Sequence, residues 1–68
     1  MRVWIVQDAS ENGSFRGSVS VYRNEEDVLE RLETEGYELA ERDSRVSIYE
    51  RELFGDVTRK AVYWEEVN

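Results

Sequence analysis

The chain has 68 residues, near the lower limit for a domain that folds alone, and it contains no cysteine, histidine or proline. Without cysteine or histidine there is no disulfide staple, no thiolate metal site and no neutral-pH imidazole acid/base. Sixteen acidic residues against nine basic ones give a net charge of −7. That balance argues against direct nucleic-acid binding and against anionic membranes, and makes any charge-led partner a basic one.

Residues 2–8 open the chain with alternation in which both parities are apolar. Val3 and Ile5 point one way and Trp4 and Val6 the other, the pattern of a strand in the interior of a sheet. The run stops at Gln7-Asp8, too soon for a signal peptide. No stretch approaches the roughly 18 apolar residues of a membrane span, so a cytoplasmic protein is expected. Residues 9–16 carry turn chemistry, and Asn12-Gly13 is a strong hairpin signal. Residues 17–23 are the return strand, with Val19 and Val21 alternating against Ser18, Ser20 and Tyr22.

One helix follows. Asn24 suits the N-cap, where its side-chain oxygen can accept a first-turn N–H. Glu25, Glu26 and Asp27 then complement the helix dipole. Val28, Leu29 and Leu32 form a narrow apolar stripe, and Gly36 ends the helix as a C′ glycine. An i, i+4 pair of Asp27 with Arg31 is expected on its surface. Tyr37 and Leu39 lead through a charged connection, Ala40 to Ser44, into a second hairpin. Its strands are about Arg45–Leu53 and Val57–Val67, with a turn at Phe54-Gly55-Asp56.

These elements predict a single α+β domain over residues 1–68, a ββαββ fold. Its four-stranded antiparallel sheet has the order 2-1-3-4, with the helix on one face. If the second turn is a three-residue loop, Val46, Ile48, Val62 and Trp64 join Val3, Ile5, Val19 and Val21 under the helix. Trp4, Tyr22, Tyr49 and Tyr63 then occupy the open face. A one-residue change of register would reverse this, because it moves every side chain to the other side.

The residues offer little chemistry. Asp8-Ala9-Ser10-Glu11-Asn12-Gly13 has oxygen ligands at positions 1, 3 and 5 of a calcium loop and glycine at 6. Position 12, where a bidentate glutamate is required, is Val19. An ordinary hairpin turn is the expected reading, with no metal and no cofactor. The serines lack a histidine to activate them, and there is no phosphate-binding glycine loop. No enzyme activity is expected.

Binding remains. Glu26, Glu30 and Glu33, with Glu25 and Glu35, give the helix an anionic outer face that either is simply solvated or meets a basic surface. Trp4, Tyr22, Tyr49 and Tyr63 supply the residue types that dominate protein contacts. Trp4 and Tyr22 are alternatively a cross-strand pair with no partner.

The opening Met1-Arg2-Val3-Trp4-Ile5-Val6-Gln7-Asp8, a glycine turn, Val21-Tyr22 and the helix from Asn24 to Leu32 resemble small uncharacterised accessory proteins of phages and prokaryotes. Ser47 to Leu53 looks like their closing strand, while the last strand here departs from their pattern. The resemblance implies a phage- or mobile-element-encoded accessory protein and transfers no active site. The expected function is thus a non-enzymatic acidic protein-binding module, in its most specific form a DNA mimic or anti-defence inhibitor covering a host protein's nucleic-acid-binding site. The alternative is an oligomer-forming accessory domain, a homodimer through the aromatic face.

Overall fold

The computed structural model describes the backbone of residues 1–9 and 15–68, and the side chains of all of these except 15–18. The elements are β1 (Arg2–Ala9), β2 (Phe15–Tyr22), α1 (Glu25–Thr34), β3 (Glu38–Arg42), β4 (Val46–Leu53) and β5 (Asp56–Glu66). Among the described residues the strands form one five-stranded sheet in the order β2-β1-β5-β4-β3, antiparallel at every pairing. The two edges, β2 and β3, therefore run parallel to each other, and α1 carries the chain from one to the other. The Asn12-Gly13 turn lies outside the described residues.

The fold is α+β, but the four-stranded order 2-1-3-4 is corrected at two places. First, Glu38–Arg42 is a strand and not a connection. All five of its residues are exposed, and it pairs with β4 from Glu38↔Glu50 to Arg42↔Ser47 around an irregularity between Leu39 and Glu41. Its charges hid it, because they belong to an edge, where they discourage pairing with other chains. Second, the neighbour of β1 is β5 and not the strand at 46–53. β5 is apolar on both parities through Ala61, Val62, Tyr63 and Trp64. It pairs with β1 from Arg59 to Glu66 and with β4 from Asp56 to Tyr63. The two strands that are apolar on both sides therefore lie side by side in the interior.

The helix follows its sequence signals closely at one end. Gly36 has φ +86°, its N–H donates to the Glu33 carbonyl at 3.0 Å, and the Tyr37 N–H donates to that of Leu32 at 2.9 Å. This is a Schellman closure, in which Tyr37 packs back on Leu32 within the core. At the other end Asn24 is extended as an N-cap should be, yet its side chain makes no cap hydrogen bond. It donates instead to Asp27 at 3.4 Å. Arg31 pairs with Glu35 at 3.6 Å and not with Asp27.

The second turn decides the core. It has two residues, Phe54 and Gly55, at φ +53° and +85°, between the pair Leu53↔Asp56. A three-residue loop would have set Ile48 opposite Val62; the two-residue turn sets Ser47 there. Val62 and Trp64 consequently share a face with Ser47 and Tyr49 and, through Trp4↔Trp64 and Val6↔Val62, with Trp4 and Val6. The helix covers this face. The core is Val6, Val28, Leu32, Tyr37, Tyr49 and Val62, with Trp4 and Tyr22 packed against it.

The expected sorting of faces is thus reversed on β1, β2 and β4, while β5 keeps Val62 and Trp64 toward the helix and Tyr63 away from it as expected. The sequence pattern puts aliphatic residues under the helix, but α1 contributes only Val28 and Leu32 as buried side chains, and Leu29 stays 41 % exposed. Two aliphatic side chains leave a wide gap above the sheet. Aromatic side chains are long enough to fill it at the density an interior requires.

Candidate functional site: the open sheet face

The face away from the helix is built by rows of cross-strand partners. One row runs Val21, Ile5, Tyr63, Val46 across β2, β1, β5 and β4. The next runs Val19, Gln7, Ala61, Ile48 and reaches Glu41 on β3. Val3 lies on the same face beside Glu65. Val19 and Val21 are 53 % and 63 % exposed, while Val3, Ile5, Val46 and Ile48 are half-buried by their neighbours. A solvated antiparallel sheet normally alternates apolar-in with polar-out. Here Val3 and Ile5 of β1, Val19 and Val21 of β2 and Val46 and Ile48 of β4 point outward beside Gln7 and Glu50, because β1 is apolar on both parities and the valines of β2 face away from the helix.

Polar groups on this face are paired or peripheral. The Tyr63 hydroxyl donates to Gln7 Oε1 at 3.2 Å. Arg59 Nε binds Glu50 Oε2 at 3.1 Å. Glu38 and Glu41 stand on the β3 side, away from the valines.

Of the residues expected to bind a partner, Tyr63 is on the open face. Trp4 and Tyr22 are cross-strand partners, as their positions suggested, but they and Tyr49 lie beneath the helix; Tyr49 is only 8 % exposed. That corrects their placement on the open face: the two-residue turn brings Tyr49 to the side of Val62, and the registers Trp4↔Trp64 and Trp4↔Tyr22 bring Trp4 and Tyr22 there. Glu26, Glu30 and Glu33 are exposed on the outer surface of the helix, and none forms an ion pair among the described residues. The structure does not bring these carboxylates together with the aromatics. The aliphatic face was missed as a site, although the double parity of residues 2–8 and Val19-x-Val21 carried its signal.

The helix face has polar features at both ends. At one end Arg2 and Arg45 lie over the Trp64 ring, 3.9 and 4.9 Å from its centre. A shallow groove of about 280 Å³ runs beside them, between Trp4, Leu29 and the Arg42–Arg45 connection. At the other end Lys60 Nζ binds Asp8 Oδ1 at 3.1 Å, and Tyr37 Oη is 3.2 Å from Thr58 Oγ1. Burial by itself would lower the Lys60 pKa. The hydrogen bond to Asp8, helped by Tyr37 and the charges of Asp8 and Glu35, outweighs it and holds the pKa above the ordinary 10.5. Arg51 donates to the Glu35 carbonyl at 2.9 Å and stacks on Tyr37 at 4.7 Å, completing the C-terminal end of the helix.

Asp8, the first residue of the calcium-like loop, is engaged by Lys60, and Val19 at the twelfth position points to the open face. Residues 10–14 of that loop lie outside the described residues. Among the described residues no three acidic side chains are placed to hold a metal ion, and no helix is long and apolar enough to cross a membrane. Compared with known proteins, the chain matches no family model, no curated protein and no solved structure, so the likeness to phage and prokaryotic accessory proteins rests on the quoted residues alone.

Proposed function

We propose that this chain is a non-enzymatic protein-interaction domain whose contact surface is the open face of its sheet. The observation that carries this reading is the aliphatic surface of Val19, Val21, Val3, Ile5, Val46 and Ile48, gathered around Tyr63 on a face that no described element of the chain covers. Apolar surface gathered in one patch marks a contact site far more often than scattered apolar residues do. Its paired polar groups and its charged margin have the anatomy of an interface, an apolar centre with a polar rim.

A second reading is favoured by Glu26, Glu30 and Glu33, which are exposed on the outer helix surface and form no ion pair among the described residues. In it the acidic helix meets a basic surface, such as the nucleic-acid-binding site of a host protein. The two readings place the partner on opposite sides of the molecule. A photoreactive crosslinker attached at Val21→Cys or at Glu33→Cys separates them, since the chain has no other thiol. Adducts formed in the native host from position 21 and not from position 33 support the open face. Adducts from position 33 alone favour the acidic helix, and adducts from neither overturn both.

A further inference from the structure

We propose that the open face is covered by a second copy of this chain, in a dimer of two face-to-face sheets with the helices outside. The inference rests on the open-face reading and names its occupant. An aliphatic sheet face with no second layer is half of a sandwich, because sheets bury an apolar face against another element. Two such faces pack about 10 Å apart with strand directions within about 30°.

The rows fix where the two-fold axis belongs. The apolar residues occupy β2, β1, β5 and β4, so their centre falls between β1 and β5, and β3 with Glu38 and Glu41 falls outside it. An axis along the strands at that centre places β2 of one copy over β4 of the other. Val21 then meets Val46 and Val19 meets Ile48, since each pair already shares a row, while Ile5 meets Tyr63. Such an interface is isologous, with each contact made twice.

Area and charge agree with that occupant. Four strands at ~4.8 Å spacing and about eight residues at ~3.3 Å each give a sheet area of ~500 Å² per copy with its charged end rows included, or ~1,000 Å² for both. That is the lower end of what a specific interface buries, the size class of weak, concentration-dependent association. The copies each carry −7, but in this arrangement the helix carboxylates face outward. They are separated by two sheets and more than a Debye length of ~8 Å at physiological salt. The charges nearest the contact are Glu65, which this axis sets against Val3 of the other copy at the end of the central strands, the internally paired Glu50 and Arg59, and the rim residues Glu38 and Glu41. Salt should screen that rim and strengthen the dimer, whereas binding to a basic partner weakens with salt.

The test is sedimentation equilibrium of the intact chain over a concentration range from ~5 μM to ~500 μM, at low and high salt. The expected result is a mass rising from 8.1 kDa toward twice that value, with a dissociation constant that falls severalfold as salt increases. Val21→Lys, at a largely exposed edge position, should keep the native circular dichroism spectrum and remain monomeric throughout. Mixing Val21→Cys with Val46→Cys chains under oxidation should give the mixed disulfide in preference to either symmetric one. A wild-type chain that stays monomeric at ~500 μM in high salt overturns the dimer. A dimer that ignores Val21→Lys, or symmetric disulfides alone, overturns the assigned axis. If the chain is monomeric yet crosslinks to another protein from position 21, the occupant is wrong and the open-face reading stands.

Discussion

Phe54 offers a prediction with a single energy term. It sits at φ +53° as the first central residue of a two-residue turn and is 99 % exposed. An L-residue with a Cβ pays about 1–2 kcal/mol in the left-handed region, a cost that asparagine relieves by local hydrogen bonding. Asn-Gly is also the favoured pair for a turn with both central residues at positive φ. Because nothing covers the Phe54 ring, removing it forfeits no burial. Phe54→Asn should therefore stabilise the domain by ~1 kcal/mol, which for a chain of this size raises Tm by about 4–8 °C. Two controls isolate the cause. Phe54→Ala keeps the strained backbone and should change stability little. Gly55→Ala, at φ +85° with open space around an added Cβ, should cost ~1 kcal/mol from backbone strain alone. Thermal and urea unfolding followed by circular dichroism measure all three. A Phe54→Asn chain no more stable than Phe54→Ala would refute the strain argument and, with it, the two-residue turn.

The reversal of faces predicts that Tyr49→Ala, which empties part of the core, costs about 3–5 kcal/mol and nearly unfolds a domain of this size. Tyr63→Ala, on the open face, should cost about 1–2 kcal/mol through its lost hydrogen bond to Gln7; equal losses in urea titrations would contradict the assignment. Lys60 has a raised folded pKa, so its contribution is complete below the unfolded value and disappears as pH rises through the folded one. The stability advantage of wild type over Lys60→Gln should accordingly persist at neutral pH and shrink above pH 10.5; a constant difference from pH 8 to about 11.5 would show that its ion pair with Asp8 is immaterial. Gly36→Ala keeps an ordinary 3.6 Å contact with Arg51 but forces alanine to φ +86°. It should lose ~1 kcal/mol, and an unchanged urea midpoint would mean the helix ends differently.

The sequence by itself determined the local elements with strong chemistry. The helix was legible between Asn24 and Gly36, because a capping position, acidic first turn, apolar stripe and C′ glycine all act within a few residues of each other. The first strand was legible as an interior one from its two apolar parities, whereas the Trp4↔Tyr22 register was not fixed by the Asn12-Gly13 signal, whose tight two-residue form would pair Trp4 with Val21. Val28 and Leu32 were legible as core. Tertiary structure alone decided three other matters. Glu38–Arg42 is a strand only because β4 offers it a ladder, and its own composition favours solvent. β5 stands next to β1 because strand order is set by burial across the whole sheet, not by succession along the chain. Which side of β4 is covered depended on one residue in the Phe54-Gly55 turn, which side of β1 and β2 on their register with β5, and which face the helix took on the volume that a narrow helix leaves unfilled. A slip of one residue reverses every side chain, and filling that volume with aromatics turns the aliphatic rows outward, where no local pattern could place them.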